Sequence, residues 1–232
     1  TRSITQRTRE LSILRKNTSM KYQFFVLAFL LFSFYSLLGQ SPEDAEKLLD
    51  EVSQTMGAFK SMTFDFDYVL ENRQENIKQE TNGSVTVSGS RYKLLFLGME
   101  QLFDGLKTYT IVPENEEITI SSKEETEEIG INPIKLLSFY KEGYAFEWDI
   151  KQNVKGRMIQ FIKLTPTTTS SEVDYLLLGV DLTKKTIYRL IEIGNNQTRT
   201  TLTLSNFLSN VPLASNFFSF DASKYPDYYI NQ

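Results

Sequence analysis

No cysteine and no histidine occur among the 232 residues. The first absence removes disulfides, thiolate nucleophiles, thiolate-bound zinc or iron–sulfur clusters and a cysteine lipid anchor. The second removes the Ser-His-Asp triad, imidazole acid–base chemistry and imidazole metal ligation. Catalysis would have to rest on Asp, Glu, Lys, Tyr or Ser, and a metal on oxygen ligands alone. No cofactor and no metal site are expected, and the balance tips towards a binding protein.

A basic stripe is also missing. The chain carries 25 Lys+Arg against 29 Asp+Glu. Residues 1–40 hold six of the basic residues (Arg2, Arg7, Arg9, Arg15, Lys16, Lys21) and only Glu10 among the acids, which leaves 19 basic and 28 acidic residues for the rest. An acidic body without clustered Lys and Arg does not suit nucleic acid, whose phosphates demand them.

What is present begins with a targeting pattern. Tyr22 to Leu38 run without a charge, Lys21 precedes them and the small Gly39 follows. A basic flank, an apolar stretch and a small residue at the cut make a secretory signal peptide, rather than a membrane anchor broken by Ser and Tyr. The expectation is a start at Met20, a signal over residues 20–39, an over-extended segment over 1–19, and one mature domain over 40–232. A mature chain of about 190 residues suffices for one sizeable core. Without a cysteine after the signal, it is expected to be soluble in an extracytoplasmic space.

The mature part opens on a helix. Ser41 can cap, Pro42 suits the first turn, and Glu43 and Asp44 favour the positive end of the helix dipole. Ala45, Leu48, Leu49, Val52, Met56 and Phe59 then fall on one face. After Met62 the period drops to two: Phe64, Phe66, Tyr68 and Leu70 alternate with Thr63, Asp65, Asp67 and Val69. Turn residues divide the chain from Met62 onwards into about eleven strands. Asn132-Pro133 interrupts them and opens a short second helix, Ile134 to Tyr140, apolar on nearly all sides. The charge run from Lys123 to Glu128 reads as a solvated loop. The fold class is mainly β (α+β): consecutive hairpins make a meander, about eleven strands are too many for a flat sheet, and the two helices cover its concave face.

The apolar faces are unusually aromatic, with 17 Phe, 12 Tyr and one Trp. Such faces can be a filled core, or they can line a cavity larger than two helices fill, fit for an acyl chain. A carboxylate hydrolase needs two acids flanking a cleft at about 5–10 Å. Asp65 with Asp67, and Glu147 with Asp149, instead share strand faces opposite the apolar ones. Gly83, Gly89 and Gly98 read as turn or bulge glycines, not as a phosphate loop.

The segment AEKLLDEVSQTMGAFKSMTFDFDY (Ala45 to Tyr68) resembles the opening of LolA, the periplasmic carrier of outer-membrane lipoproteins. FDGLKTYTIVPENEEITI (Phe103 to Ile120), INPIKLL (Ile131 to Leu137) and YAFEWDIKQN (Tyr144 to Asn153) are similar to later stretches of that family, in the same order. The resemblance implies a strongly curled, incomplete antiparallel barrel of about eleven strands with a helical lid. It implies a monomeric carrier that takes acylated lipoproteins from an inner-membrane ABC transporter and passes them to an outer-membrane acceptor such as LolB. The expected cavity wall is Phe64, Phe66, Tyr68, Val85, Val87, Tyr92, Leu94, Phe96, Phe146 and Trp148. The expected lid is Leu48, Leu49, Val52, Leu136 and Leu137. Family members carry a basic residue followed by proline after the second strand; here the turn reads Ser88-Gly89-Ser90, and Arg91 comes later. A lipid or glycolipid sensor, a structural envelope module with a filled core, and an Asp/Glu hydrolase remain the alternatives.

Overall fold

The alternation of Phe64, Phe66 and Tyr68 with Asp65 and Asp67 becomes a strand with its aromatics buried or half-buried and both aspartates exposed. In the computed structural model, residues 41–123, 133–134, 138–168 and 171–231 are described. The expected signal peptide, the acidic run 124–128 and lid residues Leu136 and Leu137 lie outside them.

The described chain starts with α1 (Pro42–Gly57). The Asp44 amide donates to Ser41 Oγ at 3.3 Å and the Ser41 amide donates to the Asp44 carboxylate at 3.0 Å, a reciprocal cap that satisfies two otherwise free donors. Ala45, Leu48, Leu49, Val52 and Met56 form the buried face, as the helical spacing requires. Ser41→Ala is expected to cost about 1 kcal/mol, the usual worth of such a cap, and a urea titration of the purified protein measures it.

Twelve strands follow: β1 (Met62–Asn72), β2 (Ile77–Ser88), β3 (Arg91–Phe96), β4 (Met99–Phe103), β5 (Lys107–Val112), β6 (Glu117–Ser122), β7 (Tyr144–Val154), β8 (Arg157–Pro166), β9 (Val173–Asp181), β10 (Thr186–Gly194), β11 (Arg199–Ser209) and β12 (Tyr229–Asn231). They form one sheet in the order β12-β6-β5-β4-β3-β2-β1-β11-β10-β9-β8-β7. The hairpins zip up β1–β6 and β7–β11, and pairing of β1 with β11 joins the two halves. Tyr92 of β3 and Ile162 of β8 belong to one hydrophobic core although five strands separate them in the sheet. The sheet is therefore strongly curled. It is not closed, since β7 and β12 are its two edges. Together with the single described α-helix packed on its inner face, this is the incomplete barrel the sequence pointed to.

Two features depart from the expected outline. The twelfth strand is parallel, pairing Tyr229 with Glu117 and Asn231 with Thr119. It ends a tail laid along the outside of the sheet. There Phe220 stacks on Tyr109 at 4.5 Å, Tyr225 stacks on Phe220 at 5.8 Å, and Arg91 lies 5.1 Å over the buried Phe218 ring. The tail covers the edge that β6 would otherwise expose to aggregation. Of the expected second helix, the described residues show a turn at Pro133–Ile134 and a single 3-10 turn, Phe139–Lys141. Tyr140 anchors that turn in the core, where burial, aided by the Asp50 charge, pushes its phenol up to about 12.

Candidate functional site

The inner face of the sheet is organised in rows of directly opposed side chains, stacked along the barrel. The first row, Met62–Val87–Tyr92–Phe103–Thr108, is buried throughout. Next comes Phe64–Val85–Leu94–Gln101, then Leu204–Phe66–Gly83–Phe96. The fourth row is Leu178–Leu190–Leu202–Tyr68–Thr81. The last is Leu176–Glu192–Thr200–Leu70–Gln79. The last row is the most polar of the five, with Glu192, Thr200 and Gln79.

A cavity of about 540 Å³ lies against the second to fifth rows. That is within the usual range for a small-molecule site. Six of the expected wall residues line it: Phe64, Phe66, Tyr68, Val85, Leu94 and Phe96. The Phe96 ring sits 5.3 Å from Phe66 and 5.4 Å from Tyr68, so the three form one aromatic wall. Val87 and Tyr92 belong to the same core but both lie in the first row, one row below the cavity. Phe146 and Trp148 sit on edge strand β7, half-buried against the core and away from the cavity lining. Leu48, Leu49 and Val52 of α1 are buried in that core, and they too leave the cavity surface to the strands.

The opposite wall was missed by sequence reading. Leu178 of β9, Ile187, Leu190 and Glu192 of β10, and Thr200, Leu202 and Leu204 of β11 all line the cavity. The alternation Thr201-Leu202-Thr203-Leu204 carried the signal for β11. In β10 alternation misleads. The register with β9 slips between Ile187 and Arg189, leaving Tyr188 bulged. Ile187 faces inwards before the bulge, and Leu190 and Glu192 face inwards after it. A bulge moves every later side chain to the other face.

Gly83 is neither a turn nor a bulge glycine. It sits mid-strand, opposite Phe66 and Phe96, and a Cβ there would overlap the Phe66 ring and lie 2.5 Å from the Leu95 carbonyl oxygen. The Phe66 ring occupies the space that a side chain at this position would need. At the rim, Leu97 takes a left-handed conformation (φ 52°) in the β3–β4 turn beside Gly98 (φ 75°). A leucine there costs about 1–2 kcal/mol, and it stays 61% exposed while lining the cavity.

The electrostatics are one-sided. Among the described residues, the charged side chains lining the cavity are Glu80 and Glu192, and no Lys or Arg joins them. Glu80 pairs with Lys78 at 2.5 Å in solvent. Glu192 is half-buried, and burial pushes its carboxyl above the ordinary carboxylate range. Burial, and secondarily the Glu192 charge, raises the Tyr144 phenol as well. Arg91 does not enter the cavity, since its guanidinium is spent on Phe218 on the outer side. The acid pairs weighed for hydrolysis stand outside too. Asp65 accepts from Asn206 Nδ2 at 2.7 Å, Glu147 pairs with Lys163 at 3.7 Å, and Asp65, Asp67, Glu147 and Asp149 are all exposed.

The sequence matches no protein-family model and no curated protein. Solved structures do match. An uncharacterized conserved protein from Thermus thermophilus aligns at TM-score 0.55 and 10% identity, over 80% of this chain and 97% of that one. The lipoprotein LppX from Mycobacterium tuberculosis aligns at TM-score 0.51 and 13% identity, over 75% of this chain and 99% of that one. The chain shares their fold. A LolA superfamily protein from Nitrosomonas europaea also aligns, at TM-score 0.39 and 10% identity, over 76% and 97% of the two chains. The curled open sheet with its helix is the architecture implied by the resemblance to LolA.

Proposed function

We propose that the protein is a LolA-like carrier that holds acyl chains non-covalently in the cavity and moves them across the periplasm. The observation that supports this reading is the cavity itself: about 540 Å³, walled by Phe, Leu, Tyr and Val through most of its depth and polar at one end. A filled structural core would leave no such space. Each methylene buried there contributes roughly 0.8 kcal/mol. Acylated lipoproteins are the cargo, an inner-membrane ABC transporter the donor, and an outer-membrane acceptor or the membrane surface the recipient. Transfer then needs only a difference in affinity between successive cavities.

The test begins with protein purified without detergent from the envelope of its own cell. Native mass spectrometry followed by organic extraction is expected to find an acylated molecule. The stripped protein is expected to take up N-phenyl-1-naphthylamine, a neutral apolar probe. Leu202→Glu places an anion in the fourth row, where no Lys or Arg among the described residues lines the cavity to pair it, and is expected to weaken that uptake at least about tenfold, since an unpaired charge then meets an apolar ligand. A stripped protein that takes up no probe would remove the carrier reading.

A further inference from the structure

We infer that the last row of the cavity is a head-group subsite, and that Glu192 makes it select amphiphiles with an amine head over those with a carboxylate. The inference rests on the carrier reading above. It starts from the placement of Glu192. The bulge at Tyr188 turns this side chain into the sheet's concave face, between Leu176 and Thr200. Without the bulge, Ile191 and Ile193 would face inwards and the glutamate would be in solvent. Among the described residues its carboxylate forms no hydrogen bond and no ion pair, although half-buried carboxylates ordinarily find such partners. Nothing in the packing of the sheet requires an acid there.

The surroundings fit one kind of ligand. Thr200 and Gln79 stand in the same row, each able to donate and accept hydrogen bonds. Tyr144 is the titratable group whose phenol feels the Glu192 charge. No basic side chain among the described residues lines the cavity to meet a carboxylate or phosphate. An alkyl chain seated on the Phe66–Phe96–Tyr68 wall carries its head into this row. An ammonium head gives Glu192 the charge-assisted partner it lacks. A carboxylate head brings like charge against it in a partly desolvated site.

Competition against bound N-phenyl-1-naphthylamine near pH 7 tests this, with dodecylamine, dodecanol and laurate as a matched series. Dodecylamine is expected to compete about ten- to a hundredfold better than laurate, the span of one charge-assisted hydrogen bond, with dodecanol between them. Glu192→Gln is expected to bring the amine-to-laurate ratio close to one, and Glu192→Lys to invert it. Laurate binding as well as the amine to the unaltered protein would overturn the inference, as would a ratio untouched by Glu192→Gln. In both cases the amphiphiles still bind, so the carrier reading survives. Failure of all three to displace the probe would instead overturn that reading and this inference with it.

Discussion

Gly83→Ala is expected to destabilise the protein by about 3 kcal/mol, at the upper end of the usual cost of overpacking. Two obstacles meet the added methyl at once. One is the Phe66 ring, whose Cε1 is 2.8 Å from the ideal Cβ position. The other is the Leu95 carbonyl oxygen at 2.5 Å, which is backbone in a paired strand and has nowhere to go. The ring has one escape, which is into the cavity. Urea denaturation and probe uptake should therefore be read together. Loss of stability places the clash in the sheet, and retained stability with lost uptake places the ring in the cavity. A variant unchanged in both would contradict the close approach of β2 to the aromatic wall. In a Phe66→Leu background the cost of Gly83→Ala should fall, because the ring's share of the clash is gone. What remains measures the Leu95 carbonyl.

This glycine also shows where sequence reading stops. The strands themselves were legible, because side chains alternate wherever one face is buried and turns carry Gly, Asn and Asp. The cap Ser41, Pro42 and the helix face from Ala45 to Met56 were legible for similar local reasons. The twelfth strand was not. Three residues, Tyr229–Asn231, are too few to show a period, and their partner β6 is more than a hundred residues away. The cavity wall was half legible. Periodicity tells which side chains face inwards, but not how far along the barrel each lies. That depth separates Val87 and Tyr92, under the cavity, from Phe66 and Phe96, which line it. It is fixed by cross-strand register, a long-range property. Glu192 was illegible for a sharper reason: the run Leu190-Ile191-Glu192-Ile193 reads as isoleucines inwards and glutamate outwards, and the bulge at Tyr188 reverses it. The Glu147–Asp149 pair, by contrast, was correctly placed outside because Phe146 and Trp148 fix the opposite face.

The second large effect should appear in a chain-length series. Removing two methylenes from an alcohol that fits the cavity is expected to weaken binding about fifteenfold, from roughly 0.8 kcal/mol per methylene. Going from dodecanol to octanol should then cost about two hundredfold. The slope depends on the wall and the plateau depends on the space. From the second row to the last the sheet rises roughly 20 Å at the usual strand rise, so chains should keep gaining until they reach from the polar last row to the second row. Beyond that length, further carbons must remain in water or displace Val87 and Tyr92, which are buried beneath, and the gain should stop. Isothermal titration should also give a negative heat-capacity change that grows with chain length up to the same plateau, since that quantity follows the apolar area removed from water. A flat series would mean that the probe sits at the exposed rim around Leu97 and that the interior admits no chain. A plateau that moves to shorter chains in Leu204→Trp, on the Phe66 row, would place the alkyl tail against that row directly.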